Sequence, residues 1–204
     1  MKTWKWVVWG VAIGTICLHG CSIRAPRPET RYYTLSLAIP ESSTKAGKGS
    51  LIVRSISVRH PYDQERIVYR SSAYTFDRYN AHRWASSPGE QVTEWTRRYL
   101  RHADVFAHVY PTTSGSADFF LDGVVRQFEE IDHEHQWEAA LTIDMWLLRP
   151  GDATPTWFKT YSATRPAAKR NPEAVAEAMS HCLEDVLERL AADLGAVVAT
   201  QLRP

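Results

Sequence analysis

The densest group of metal-binding side chains in the sequence is Asp132-His133-Glu134-His135. Imidazole nitrogens and carboxylate oxygens are ligands that zinc accepts, and His133 and His135 would share one face of a strand. No further ligand lies nearby in the sequence, however, and the group falls where residues 129–135 join two predicted strands. A solvated hairpin turn accounts for these residues, so we predict no metal site and no cofactor.

Side chains that could perform acid–base or nucleophilic catalysis are scattered along the chain. His82, His102, His108 and His181 have no triad order, and the neighbouring carboxylates Glu129-Glu130 cannot be assigned acid and base roles from sequence. The sequence also lacks the G-x-S-x-G, H-E-x-x-H and phosphate-loop spacings. We therefore predict that the protein is not an enzyme.

The beginning of the chain has the three parts of a secretory signal peptide. Met1–Lys5 is basic, Trp6–Leu18 is apolar, and Ser22–Glu29 is polar and rich in proline. The order of a charged region, an apolar region and small residues at the end is typical of exported proteins. The apolar run is shorter than the roughly 17–25 residues that a membrane-spanning helix needs. We predict that residues 1–20 are removed as a signal peptide.

A cysteine at the end of this segment indicates a more specific kind of processing. Leu18-His19-Gly20-Cys21 resembles the lipobox of bacterial lipoproteins, in which the cysteine is acylated and becomes the first residue of the mature protein. His19 departs from the pattern, where a small or apolar residue is commoner. More than one acyl chain is needed for a lasting anchor, and lipoprotein modification supplies them. An ordinary signal peptide followed by a chance cysteine is the alternative.

Composition is consistent with one folded domain behind this anchor. The chain has 204 residues, with 24 lysines and arginines against 23 aspartates and glutamates and a formal net charge of +1. A nucleic-acid surface would need a clustered basic excess, so none is expected. We predict a lipidated N-terminus and short linker over residues 21–31 and one domain over residues 32–204. Cys182 then stands alone, on the apolar side of a helix, as a small hydrophobe.

Two helices have clear start signals. Ser87-Pro88-Gly89-Glu90 combines a serine cap, proline at the first helical position and a capping-box glutamate, and predicts a helix to about His102. Asn171-Pro172-Glu173 opens a long last helix in the same way. This helix has apolar residues at steps of three and four, which are typical of core packing. They are Val175, Met179, Cys182, Val186, Leu190, Leu194 and Val197.

Alternating and β-branched segments predict eight strands. Their ranges are 32–37, 51–58, 67–70, 74–77, 105–110, 119–130, 136–148 and 157–163. The last three follow one another across short turns and indicate an antiparallel meander. Four strands, a helix, four strands and a helix predict an α+β fold, with a largely antiparallel β-sheet covered by two α-helices.

Several short motifs occur in an order that resembles a known family. Arg66-Ile67-Val68-Tyr69-Arg70 is followed by Tyr79-x-x-His82-Arg83-Trp84-Ala85-x-x-Pro88. Tyr32-Tyr33-Thr34-Leu35 precedes them, and Ala117–Gly123 with Phe128 comes after. Together, behind a lipobox, these segments resemble the ABC-type transport auxiliary lipoproteins.

That resemblance implies a periplasmic, outer-membrane-tethered and non-catalytic accessory of an ABC permease and ATPase complex with an MCE-domain protein, which moves lipids between membranes. Ser22 resembles the residue that directs enteric lipoproteins to the outer membrane. A homo-oligomer is compatible with this role. Two other functions remain open: a lipoprotein that holds a lipid in its own apolar pocket, and a structural envelope lipoprotein without a transporter partner.

The candidate partner interface is a predicted loop from Tyr79 to Trp84. Tyr79, His82, Arg83 and Trp84 are of the types enriched at binding hot spots. The alternative is that Trp84 is buried beneath the helix start at Ser87 and that Arg83 pairs locally.

Overall fold

Nine strands and two helices form the part of the protein that the computed structural model describes, residues 29–39, 41, 47–112 and 115–202. The strands are β1 (Arg31–Tyr33), β2 (Ser50–Val53), β3 (Ser57–Val58), β4 (Arg66–Ser72), β5 (Thr75–Trp84), β6 (His108–Tyr110), β7 (Phe119–Asp132), β8 (Trp137–Leu148) and β9 (Trp157–Pro166). The helices are α1 (Pro88–His102) and α2 (Pro172–Gln201). Neither helix combines the length and apolarity needed to cross a membrane.

Strand β7 organises the sheet. One of its edges pairs with β8 along nearly its whole length, and β9 pairs with β8, so the predicted antiparallel meander is confirmed. Its other edge pairs in parallel with β2, then β3, then β4. Beyond these lie β6 beside β2, and β5 and β1 beside β4. The α+β fold is confirmed; the sheet is mixed, because the long pairs are antiparallel and the short ones mostly parallel.

Both helices begin as the sequence predicts. In α1 the Ser87 side chain accepts from the Glu90 backbone N–H over 3.3 Å, and the Glu90 carboxylate accepts from the Ser87 N–H over 3.2 Å. In α2 the Asn171 side chain accepts from the Ala174 N–H over 2.9 Å. The helices contact each other, with α1 against β2, β3 and β6 and α2 against β8 and β9. The apolar stripe of α2 is buried, except that Val198 takes the place predicted for Val197.

The first predicted strand, 32–37, is too long. β1 ends at Tyr33 because the next backbone groups bind helix side chains instead of a neighbouring strand. The Leu35 N–H donates to Gln91 Oε1 over 2.8 Å, and the Ser36 N–H donates to Ser180 Oγ over 3.1 Å. Buried backbone donors need a partner, and here α1 and α2 supply it.

The second predicted strand, 51–58, is two strands. β2 ends at Val53 and β3 begins at Ser57, because the backbone between them turns towards α1. There the Ile56 N–H donates to Thr93 Oγ1 over 2.9 Å rather than to β7. Five strands, not four, therefore precede α1.

The largest correction concerns residues 74–84. The predicted short strand 74–77 and the predicted loop Tyr79–Trp84 form one strand, β5. Polar residues interrupt the apolar pattern by which a strand is recognised in sequence. The segment is extended because β4 pairs along one of its edges, while β1 pairs with His82–Trp84 on the other. Elsewhere the predicted strand ends move by a few residues: β6 begins at His108, β7 continues to Asp132 and β9 to Pro166.

Candidate functional site

The candidate interface residues lie on an irregular part of β5. Arg83 pairs with Arg66 and Arg78 pairs with Val68, so the segment between Arg78 and Arg83 is opposed by a much shorter piece of β4. The extra residues form a bulge that contains Tyr79 and His82. Bulges change the direction in which side chains point and occur beside binding sites more often than elsewhere in sheets.

Tyr79 lies in the middle of an aromatic group. Its ring centre is 4.8 Å from that of Tyr69 and 5.3 Å from that of His82, and Trp137 lies at 6.5 Å. The Tyr79 hydroxyl donates to Glu130 Oε1 over 2.9 Å. Burial, followed by the nearby charge of Glu130, raises the pKa of Tyr79, so the phenol keeps its proton.

Glu130 is the buried polar group beneath this site. Glu130 is only 1% exposed. Burial raises the pKa of its carboxyl group to about 7, and the hydrogen bond from Tyr79 opposes part of this rise. Its second oxygen, Oε2, has no hydrogen-bond partner among the described residues, and neither has Trp137 Nε1. A carboxyl group with one phenol as its partner is costly to ionise in such a place. The sequence did not predict this role; the visible signal was a pair of glutamates beside Phe128 and Ile131 near the end of a long strand.

His82 is held on the outer side of the bulge. Its Nδ1 lies 2.8 Å from the Tyr33 hydroxyl, which connects β5 to β1. Burial, and then the positive charge of Arg31, lowers the pKa of His82. This favours the neutral ring, in which the tautomer decides whether Nδ1 accepts from the Tyr33 hydroxyl or donates to it.

Arg83 and Trp84 have different surroundings. Trp84 is 2% exposed, and its ring centre lies 5.1 Å from that of Phe128, so it packs in the core. Arg83 is partly exposed, with Nη1 3.7 Å from Glu65 Oε2, and its Nε has no hydrogen-bond partner in the described part of the chain. These positions match the alternative given above, a buried tryptophan and a local arginine pair. The Arg83 side chain keeps about a third of its surface exposed, at 32%.

The other candidate chemical groups lie away from this site or outside the described residues. The His133 N–H donates to the Gln136 carbonyl in the predicted hairpin turn, and His133 Nε2 lies 3.4 Å from Glu138. Within the described ranges, no three metal-binding side chains converge. Cys182 is buried, as predicted, and burial raises its pKa to about 12. Cys21 and the whole of residues 1–28 lie outside the described residues.

A groove of about 450 Å³ lies between the segment after β1 and the first turns of α2. The groove is open to solvent, and its lining mixes apolar surface with the polar or charged side chains of Ser36, Glu173, Glu177 and His181. An acyl chain needs an apolar enclosure to leave water. The groove therefore does not favour the alternative function of holding a lipid tail.

Proteins of known structure resemble this chain over most of its length. The crystal structure of protein XCC0632 from Xanthomonas campestris is 20% identical, with a TM-score of 0.74 over 84% of this chain and 98% of that one. The hypothetical protein CT253 from Chlamydia trachomatis is 9% identical, with a TM-score of 0.54 over 76% and 99% of the two chains. These likenesses show a shared fold. No curated protein matches the chain.

A family model gives the more specific result. The model described as ABC-type transport auxiliary lipoprotein component matches residues 33–191, which include β5, α1, the β7–β9 meander and most of α2. The match covers well over half of the chain and begins within β1. The protein therefore belongs to the ABC-type transport auxiliary lipoprotein family.

Proposed function

We propose that this protein is a periplasmic lipoprotein, tethered to the outer membrane through Cys21, that serves as a non-catalytic accessory of an intermembrane lipid transport system. Its partners in this proposal are an MCE-domain protein and the ABC permease and ATPase that act with it. The observation that carries the proposal is the family match over residues 33–191. The lipobox-like Leu18-His19-Gly20-Cys21 and the adjacent Ser22 support the tether and its location.

The bulge of β5 is the proposed contact with the partner. Tyr79, His82 and Arg83 are each partly exposed on this part of β5, while Trp84 is buried in the core. Tyrosine and arginine are among the residue types enriched at binding hot spots. Among the described residues Arg83 makes one ion pair, with Glu65 at 3.7 Å, and a partner carboxylate could replace that pair at little cost.

Crosslinking in intact envelopes, followed by purification of the lipoprotein, tests the proposal. The wild-type protein should capture an MCE-domain protein together with the permease or ATPase. Arg83→Ala should lower capture about tenfold or more, the effect of losing a hot-spot arginine. Its melting temperature should be nearly unchanged, because the pair with Glu65 is at the surface.

Arg101→Ala is the matched control, since Arg101 is exposed at the end of α1 and away from β5. This variant should capture partners like the wild-type protein. Capture of no transporter component by the wild-type protein would contradict the proposed function. If Arg83→Ala captures less partner and is also less stable by the same measure, Arg83 is a structural residue instead.

A further inference from the structure

The β4–β5 hairpin ends in an exposed aromatic tip, here defined as residues 71–78, which carries one negative charge, Asp77, and one positive charge, Arg78. Tyr74 is 97% exposed and Phe76 is 44% exposed. Phe76 and Arg78 share one face of β5, Tyr74 lies in the turn before it, and Arg70 lies directly opposite Phe76. The guanidinium groups of Arg70 and Arg78 are each 6.0 Å from the centre of the Phe76 ring. Arg78 makes no ion pair within the described part of the protein.

β1 lies beside the end of β5 that is farther from this tip, and its direction shows from which side the chain reaches it. β1 runs parallel to β5, with Arg31 opposite His82 and Tyr33 opposite Trp84. β5 runs away from the hairpin tip. The chain therefore enters β1 from the side on which the tip lies.

The chain before β1 is long enough to let the tip reach the bilayer. From Cys21 to Arg31 an extended chain spans roughly 35 Å. From the level of His82 to the tip at Tyr74, β5 spans roughly 25 Å at most, because the bulge shortens it. Acyl chains on Cys21 and the hairpin tip can therefore occupy the same membrane surface at the same time.

We propose that the hairpin tip contacts the phospholipid headgroups of the bilayer that holds the acyl chains of Cys21. This inference rests on the proposed anchoring at Cys21. Aromatic rings with polar neighbours favour the interfacial layer. Arg78 near anionic lipid contributes about 1 kcal/mol, whereas Arg70 is already paired with Glu129. The second contact fixes the orientation of the domain, with the β8–β9 turn pointing away from the membrane.

Site-directed fluorescence on the full lipidated protein tests this placement. Ala73→Cys in the tip and Ala153→Cys in the β8–β9 turn are matched exposed positions at opposite ends of the sheet. Each variant is labelled with an environment-sensitive dye; Cys182 is buried and does not compete. The proteins are reconstituted on vesicles of phosphatidylethanolamine and phosphatidylglycerol that carry a nitroxide at the headgroup, and flotation reports anchoring separately.

The expected result is quenching that is several-fold stronger at Ala73→Cys than at Ala153→Cys. Adding Tyr74→Ser and Phe76→Ser to the first variant should reduce that quenching without changing flotation. Equal or absent quenching in protein that floats overturns the membrane contact while anchoring stands. A dye response that depends on protein concentration without vesicles also overturns it and assigns the tip to a second copy of the chain. Protein that does not float refutes the anchoring and, with it, this inference.

Discussion

Two adjacent glutamates in β7 occupy very different environments. Glu129 Oε1 accepts from Arg70 Nε and from Gln127 Nε2, each over 2.9 Å. Glu130 accepts from the Tyr79 hydroxyl, and its other oxygen has no partner in the described part of the chain. Neighbouring side chains on a strand point to opposite faces. One carboxylate is therefore held by a cation, whereas the other lies among aromatic rings beneath the candidate interface.

The raised pKa of Glu130 makes stability depend on pH in a defined direction. The unfolded carboxyl group titrates near 4.5 and the folded one at about 7. Between these values the folded state binds more protons than the unfolded state, so the free energy of unfolding falls as pH rises. The loss is complete above pH 7 and amounts to about 3 kcal/mol.

Glu130→Gln should remove this dependence. The amide oxygen can still accept from Tyr79 but carries no charge, so the variant should be about 1–3 kcal/mol more stable than the wild-type protein at pH 8. It should gain nothing at pH 4. Urea denaturation at the two pH values measures the difference. As a control, Glu129→Gln removes the charged partner of Arg70 and should be less stable than the wild-type protein at pH 8. A Glu130→Gln variant with the wild-type pH slope would show that Glu130 does not titrate in this range.

At the scale of elements, β7 and β8 approach closely in the centre of the sheet. Gly123 lies opposite Met145, and a Cβ at this glycine would be 2.5 Å from Met145 Sδ and 3.0 Å from the Asp144 carbonyl oxygen. Ile56, from the turn between β2 and β3, packs against the same point. The glycine therefore lets the meander and the β2–β3 segment pack around one position.

Gly123→Ala should destabilise the protein by about 1–3 kcal/mol, the usual cost of overpacking a core. Gly195→Ala is the matched substitution, because Gly195 lies within α2 and a Cβ there would meet no atom within 4 Å. That variant should gain about 0.5–1 kcal/mol from the better helix propensity of alanine. Denaturation midpoints of the two variants should therefore move in opposite directions. A Gly123→Ala midpoint at or above that of the wild-type protein would contradict the close approach.

The elements that the sequence predicts well are those with local signals. Each of these signals depends on residues close together in the sequence: the capping box at Ser87, the apolar stripe of α2 and the alternation of β8. The end of β1 could not be predicted, because it depends on Gln91 and Ser180 far along the chain. The same holds for β5, whose bulge and pairing with β1 exist only in the folded sheet. The candidate site was thus predicted from residue type, whereas its buried partner Glu130 was not predicted.

For the whole molecule, the mixed sheet determines which features lie together. The antiparallel meander could be inferred from sequential strands, whereas the parallel pairs of β7 with β2, β3 and β4 join distant segments. These pairs bring the end of β4 beside the end of β7, whereas β1 lies at the other end of β5 and is entered from the direction of the hairpin tip. The proposed docking bulge lies on β5 between that tip and the start of α1. In the proposed arrangement the membrane contact at the tip and the partner surface at the bulge follow one another along β5, and the tether enters beside its end.

Mass spectrometry of the mature N-terminus, on protein purified from outer membranes, tests the central claim most directly. We predict a first peptide that begins at Cys21 and carries the mass of attached acyl chains, with residues 1–20 absent. A first peptide that begins at another residue, or an unmodified Cys21, would contradict the proposed anchor on which the position of the protein at the membrane depends.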